Sequence, residues 1–390
     1  MDFTKLTEYL DSLAEQYGVP GFDCKIMQNH REIYRHMGGW SDYAHTHPVS
    51  AGDLYDVYSC TKLITMVAVM QLAERGALSL EDRLDQYLPE FSSMQVALDF
   101  AAVPGRMPAW PDSTTPVRPA NTPMYLHDLM SMTSGMSYDT ESEPIRRVLK
   151  DNPYATTREI VAAMAKMPLI YEPGTHWSYS LSHDVMAAVV EVVSGETFGE
   201  YLQRHIFAPL GLEEMYLHTP ESETSRLSAQ YAVDRQTGEI VHADWGNRFR
   251  LSPKYDCGGA GLTCGVDGYC TVLDALSCGG TGKNGARILT PESVLEMSRN
   301  RLDERALEDF HRGGRFEYGY GLGVRTMMVP GGSQGPVGEF GWDGAAGAYG
   351  MVDPVNHVSL FYTQEILGMP KVYSEIHPKL RDLAYIGLRS

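Results

Sequence analysis

The sequence predicts an α+β fold: a central antiparallel sheet flanked by helices and interrupted by a large, mainly helical insertion. Three observations point to it. Two short strand-like segments, DCKIMQNH and EIYRHMGGW, lie near the N-terminus. Helical signals then fill the middle of the chain, from about residue 124 to 218. Strand-like segments return only towards the C-terminus. The length of 390 residues fits roughly two to three domains, or one large domain with an insertion. The implied division is a discontinuous sheet domain, 1–75 with 288–390, and a mainly helical domain over 76–287.

Each element has a local reason. MDFTKLTEYLDSL sets Phe3, Leu6, Leu10 and Leu13 at helical spacing, so it reads as an amphipathic helix. DCKIMQNH and EIYRHMGGW are separated by a polar turn and predict a β-hairpin. LITMVAVMQL is apolar on every side and predicts a buried central helix. ALSLEDRLDQYLPEF reads as turn and helix with a proline stop. Residues 92–122, rich in Pro, Ser and Thr, predict a long structured loop over a site. Helices follow at YLHDLMSM, EPIRRVLKD, TREIVAAMAKM, LSHDVMAAVVEVVSG and FGEYLQRHIFAPLG, with Gly195 and Gly211 suited to C-caps. YGLGVRTMMV (320–329), AYGMVDP (348–354) and HVSLFYTQ (357–364) read as strands, and YSEIHPKLRDLAYIGL as a closing helix.

Composition narrows the function. Hydrophobic residues make up 43% and charged residues 21%, which suits a globular protein with a sizeable core. A formal net charge of −18 argues against nucleic acid or an anionic membrane surface as partner, because the chain would repel phosphates. No apolar stretch is long enough for a membrane span. The N-terminus lacks the basic and apolar regions of a signal peptide, so the expected location is cytoplasmic. Four of the six cysteines, Cys257, Cys264, Cys270 and Cys278, crowd together. Their spacing contains no C-x₂-C, so free buried thiols are expected rather than zinc. His45 and His47 lack a third ligand. No metal and no cofactor are expected, and the oligomeric state is unknown.

Two serines compete as nucleophile. Ser59 stands three places before Lys62 in YSCTK, so both side chains share one helix face. A serine at a helix start lies near unpaired N–H groups, which favour a developing oxyanion. A lysine at the base of a buried helix is expected to lose proton affinity and to serve as a base. Ser333 lies in GGSQG, with Asp353 and then His357 or His377 following in order. This matches a G-x-S-x-G elbow. But Pro336, Gly338 and Gly341 follow where an elbow needs a helix, and no βαβ alternation precedes it. A glycine-rich turn is the better reading of Ser333.

YSCTKLIT…QLAERGALSLEDRLDQYLPEF resembles the first motif of the serine β-lactamase and penicillin-binding-protein superfamily. YLHDLMSMTSGM (125–136), PGTHWSYSLSHDVMAAVVEVVSG (173–195), CGGAGLTCGVDGYCTVLDALSCGG (257–280) and FGWDGAAGAYGMVDP (340–354) continue the likeness in order. The chain looks similar to class C β-lactamases and more so to family VIII carboxylesterases. The resemblance implies a β-lactamase/transpeptidase-like fold with the active site in the cleft between the two domains, and residues 92–122 as a lid. Tyr179 matches the tyrosine of the Tyr-x-Asn motif, but Leu181 stands where asparagine would. By resemblance Tyr179 is general base or proton shuttle, helped by Lys62, with a phenol pKa lowered by the amine. The Lys-Thr-Gly motif, carried on an edge strand in lactamases, is matched by Trp342, Asp343 and Gly344. Gly344 would admit a substrate closely, and the Ser59 and Ala345 N–H groups would form the oxyanion hole.

Trp342 replaces the cation of that motif, Asp343 adds a negative charge, and Leu181 removes an amide-binding side chain. A wall that is aromatic and lacks a cation suits a small neutral ester better than a lactam. The expected activity is therefore ester hydrolysis through an acyl-enzyme. The alternatives are a β-lactamase or D-Ala-D-Ala carboxypeptidase, an acyltransferase with the same residues, and a non-catalytic binding protein. The expected partner is a small-molecule ester or lactam.

Overall fold

Asn29 and His30, between the first two strands, both adopt positive φ, 48° and 64°. A turn of that hand matches the right-handed twist of paired strands. It closes the expected hairpin, Gly21–Gln28 with Arg31–Gly39. The structure, a computed structural model, describes residues 1–98 and 108–390.

The hairpin joins the C-terminal strands in one seven-stranded antiparallel sheet. Its spatial order is Tyr318–Tyr320, Arg325–Met327, Phe340–Asp343, Tyr349–Asp353, Val358–Thr363, Gly21–Gln28 and Arg31–Gly39. The first and last thirds of the chain meet where Ile26 pairs with Leu360. The expected single strand over 320–329 is instead a hairpin, because Gly321 N–H bonds the Val324 carbonyl at 2.8 Å. The Trp342 stretch lies on an interior strand, not the edge strand implied by the resemblance.

Period-two alternation explains how the sheet is covered. Val358, Leu360 and Tyr362 pack with Leu6, Leu10, Leu380 and Ala384 of the two terminal helices, Thr4–Asp11 and His377–Arg389. Phe361 faces the other way and meets Tyr269 of helix Val266–Ser277, with ring centroids 4.4 Å apart. That helix packs along three strands of the sheet.

The central helix is Thr61–Glu74, and every residue from Thr61 to Leu72 is buried. It packs against helix Ser182–Ser194. Gly195 ends that partner helix at φ 74°, as a C-cap glycine does. Tyr55–Asp56, just before the central helix, pairs with Thr263–Cys264, which in turn pairs with Met215–Tyr216. No helix among the described residues is long and apolar enough to cross a membrane.

Candidate active site

Ser59 lies in a 3₁₀ turn, Tyr58–Cys60, that runs directly into the central helix. Tyr58 holds φ at 45°, unusual for a side chain of this size. Such strain persists only where neighbours hold it. Here Tyr58 OH donates to Gln230 Oε1 at 2.9 Å, and Thr61 Oγ1 donates to the Tyr58 carbonyl at 2.6 Å. The turn thus aims Ser59 out of the core into a cavity of about 780 Å³.

Lys62 is fully buried, one turn along the same face. Its Nζ donates to Ser59 Oγ at 3.2 Å, to Tyr138 OH at 3.1 Å and to the Gly259 carbonyl at 2.7 Å. It also lies over the rings of Tyr179 and Tyr138, 4.6 and 4.9 Å from their centroids. The amine is therefore surrounded by oxygen acceptors and ring faces, not by the apolar packing expected from the helix sequence. The third acceptor comes from the 258–262 segment, which is laced to the helix. Thr65 Oγ1 donates to the Gly258 carbonyl at 2.6 Å, and Leu262 N–H donates to Thr61 Oγ1 at 3.0 Å. Only glycine fits there: a Cβ on Gly258 would stand 2.5 Å from the His183 carbonyl, and one on Gly259 2.5 Å from Asp184 Oδ2.

Tyr179 completes the group. Trp342 Nε1–H donates to its phenol oxygen at 3.0 Å, and Tyr138 stacks on its ring at 4.9 Å. Burial pushes the Tyr179 pKa above the ordinary phenol value, and hydrogen bonding to Ser59 and Trp342 only partly opposes this. The lowered phenol pKa expected from the sequence is thus reversed, because desolvation outweighs the partners. Tyr138 is likewise raised by burial, with Lys62 opposing. Sequence reasoning missed Tyr138, which follows the quoted TSGM by two residues and has no motif of its own. Leu181 explains its placement: Leu181 N–H donates to the Ser137 carbonyl at 2.9 Å, which sets Tyr138 beside Lys62. Leu181, expected at the substrate, is buried and is not among the residues that line the cavity.

Trp342, Asp343, Gly344 and Ala345 line the same cavity as Ser59 and Tyr179. Gly344 also has a reason within the fold. A Cβ there would meet the Val57 carbonyl at 2.5 Å, so glycine lets this strand end touch the turn that carries Ser59. Tyr373 OH pins the loop by donating to the Gly344 and Ala345 carbonyls at 3.0 and 3.2 Å. Among the described residues, no backbone bond is donated by the N–H of Ser59 or of Ala345.

The negative charge that Asp343 adds is paired. Its carboxylate is bonded by Arg315 Nη2 and, at 2.8 Å, by Arg325 Nη1. Burial raises its pKa, but Arg325 and Arg315 outweigh burial and hold it at about 2. His377, 3.7 Å away, is pushed by burial down to about 4 and is neutral at neutral pH. The expected cation-free wall is therefore also corrected. Arg315 and Arg325 line the cavity, and neither lies in a stretch that carries the family likeness.

Ser333 sits in a turn, as preferred, with no helix after it, and its Oγ accepts from Gly335 N–H at 2.9 Å. Asp353 is bonded by Val355, Asn356 and Tyr385, and His357 by the Ser277 carbonyl. All six cysteines are unpaired. Among the described residues, His30, Asp274 and Cys278 form a cluster of metal-ligating type, but His30 Nδ1 already bonds Asp274 Oδ2 at 2.7 Å. The lid expectation for 92–122 falls partly outside the described residues. Of its described part, Gln95–Ala97 pairs with Val117–Pro119, and none of it lines the Ser59 cavity.

Comparison with known proteins places the chain in a family. The family model described as Beta-lactamase matches residues 6–379. Protein Rv1367c of Mycobacterium tuberculosis (strain ATCC 25618 / H37Rv) is 29% identical over 83% of this chain and 80% of its own. A lovastatin esterase of Penicillium rubens is 30% identical over 71% of this chain and 70% of its own. The solved structure of EstCE1, a hydrolase with promiscuous acyltransferase activity, superposes with a TM-score of 0.76 at 21% identity, covering 98% of each chain.

Proposed function

The chain belongs to the beta-lactamase family, and on that premise we propose that it hydrolyses small carboxylic esters through an acyl-enzyme on Ser59. The observation that carries this reading is the contact of the Lys62 amine with Ser59 Oγ at 3.2 Å, in the cavity that Tyr179 also lines. Ser59 Oγ attacks the ester carbonyl, and its proton passes to the Lys62 amine, directly or by relay through the Tyr179 hydroxyl, which gives its own proton on as it takes the serine's. The carbonyl oxygen becomes an oxyanion held by the Ser59 and Ala345 N–H groups. As the tetrahedral intermediate collapses, the C–O bond to the alcohol breaks and the alcohol takes the proton back. Water then enters by the same route and releases the acid. Burial keeps Tyr179 protonated at rest, which suits it to carry a proton between Ser59 and the leaving alcohol rather than to wait as a phenolate.

A second reading has its own support. EstCE1 is described as both hydrolase and acyltransferase, and an alcohol in place of water would make this chain transfer the acyl group. The discriminating measurement is turnover of p-nitrophenyl butyrate with and without an added acceptor alcohol. Ser59→Ala is expected to abolish turnover, whereas Ser333→Ala retains most of it. The reverse pattern would sink the assignment. Faster turnover of a chromogenic cephalosporin than of the ester would favour a β-lactamase instead.

A further inference from the structure

We propose that Arg315 gives the Ser59 cavity a carboxylate-binding end, so that the preferred ester has an apolar body and an anionic group remote from the scissile bond. This rests on the esterase reading above and names its substrate class. The cavity has two kinds of wall. Trp177, Tyr179, Phe310, Trp342 and Tyr373 supply aromatic surface around Ser59. Arg315 supplies a cation from the turn after helix Glu304–His311.

The guanidinium is fixed before any ligand arrives. It stacks on the Trp342 ring, 5.0 Å from its centroid, while Nη2 bonds Asp343. Trp342 in turn donates to Tyr179, so a single indole ring separates the cation from the proton-transfer group. Two donors on this lining are left over. Arg315 Nη1 and Trp177 Nε1 have no hydrogen-bond partner; both atoms are covered, so a carboxylate reaches them only when the side chains over them move aside, whereas the Arg315 side chain itself is part-exposed on the lining. Buried donors without partners are rare, and a guanidinium offers a carboxylate charge-assisted bonds from the N–H groups that Asp343 leaves free.

The local charge is consistent with this role. Asp343 is shared between Arg315 and Arg325, and Arg325 is itself fully buried against it and bonds the Gly350 carbonyl. One carboxylate therefore faces two guanidinium groups. His377 contributes no charge at neutral pH. Glu317, the other acid on the lining, is half-buried with its stem against Gly332, where solvent screens it.

Two matched pairs of esters test the proposal. Mono-p-nitrophenyl glutarate carries its carboxylate on the acyl side and has p-nitrophenyl methyl glutarate as its neutral counterpart; 4-carboxyphenyl butyrate carries it on the alcohol side and has 4-(methoxycarbonyl)phenyl butyrate as its neutral counterpart. At least one anionic ester is expected to show a kcat/KM about tenfold or more above its neutral counterpart, mainly through KM. Arg315→Met should bring that ratio to about one, and Arg315→Lys should restore part of it. Which anionic ester gains tells which side of the scissile bond faces Arg315. A wild-type ratio near one, or a ratio unmoved by Arg315→Met in a folded variant, would overturn the proposal. If Arg315→Met does not fold, salt decides: in the wild type the ratio should fall as ionic strength rises, and a flat ratio overturns the idea. Failure of the esterase reading looks different, since no ester would then show Ser59-dependent turnover. In that case glutarate should still raise the melting temperature of the Ser59→Ala protein, and absence of that shift would remove the carboxylate site as well.

Discussion

Lys62 is held by three oxygens from three parts of the chain, and the contribution of each is separable. Tyr138 OH supplies one of them at 3.1 Å. Tyr138→Phe removes only that hydroxyl and leaves the stacking on Tyr179 intact. With the Lys62 amine losing one of its three partners, kcat for p-nitrophenyl butyrate is expected to fall about tenfold. KM and thermal stability should change little, because the ring still fills its place. Equal kcat in variant and wild type would show that the Gly259 carbonyl alone positions the amine. Ser59, Lys62 and Tyr179 stood out in the sequence because a short helical spacing and ordered motifs carry them. Tyr138 did not, because its value comes only from what it touches.

At the scale of elements, the site depends on how closely a strand end meets a turn. The strand Phe340–Asp343 continues into Gly344, which packs on the Val57 carbonyl, and Val57 directly precedes the Tyr58–Cys60 turn. A side chain at this contact must separate the two candidate oxyanion donors. Gly344→Ala would place a Cβ 2.5 Å from that carbonyl and 2.9 Å from the Ala348 Cβ. A displacement of this order misaligns reacting groups, so kcat/KM should fall about 100-fold. The rate of fluorophosphonate labelling of Ser59 checks it directly. Undiminished labelling in a folded variant would mean that the strand and the turn need not touch. The glycine was legible as part of a Trp-Asp-Gly motif, but its reason was not. Residues 57 and 344 are distant in sequence, and no periodicity links them.

For the whole molecule, the two arginines and Asp343 form a charged cluster in the core, and it makes stability depend on pH. Asp343 is held at about 2 in the folded chain and would titrate near 3.9 when unfolded. A carboxyl whose pKa is depressed by folding stabilises above its unfolded value. That contribution, roughly 2–3 kcal/mol, is lost as pH falls from about 4 towards about 2. Asp343→Asn leaves Arg315 and Arg325 without their counter-charge and is expected to cost about 3–5 kcal/mol at neutral pH. The gap between wild type and variant should shrink as pH falls through the same window. Urea unfolding at a series of pH values measures it. A gap that stays constant from pH 5 to pH 2 would remove Asp343 as its source.

What the sequence by itself determined is what short-range physics controls. The Asn29–His30 hairpin, the all-round apolar helix after Ser59, the Ser59–Lys62 spacing and the glycine cap at Gly195 each follow from a few adjacent residues. The order of motifs along the chain carried the family. What only the tertiary structure decided is the electrical character of the site. A tryptophan in place of a lysine read as a wall without a cation, yet the fold returns a cation from Arg315 and buries Arg325 behind it. The Tyr179 phenol, expected to be acidified by the amine, is made less acidic by burial. Charge and desolvation are sums over everything nearby in space, and neighbours in space are set by sheet register and helix packing rather than by spacing along the chain.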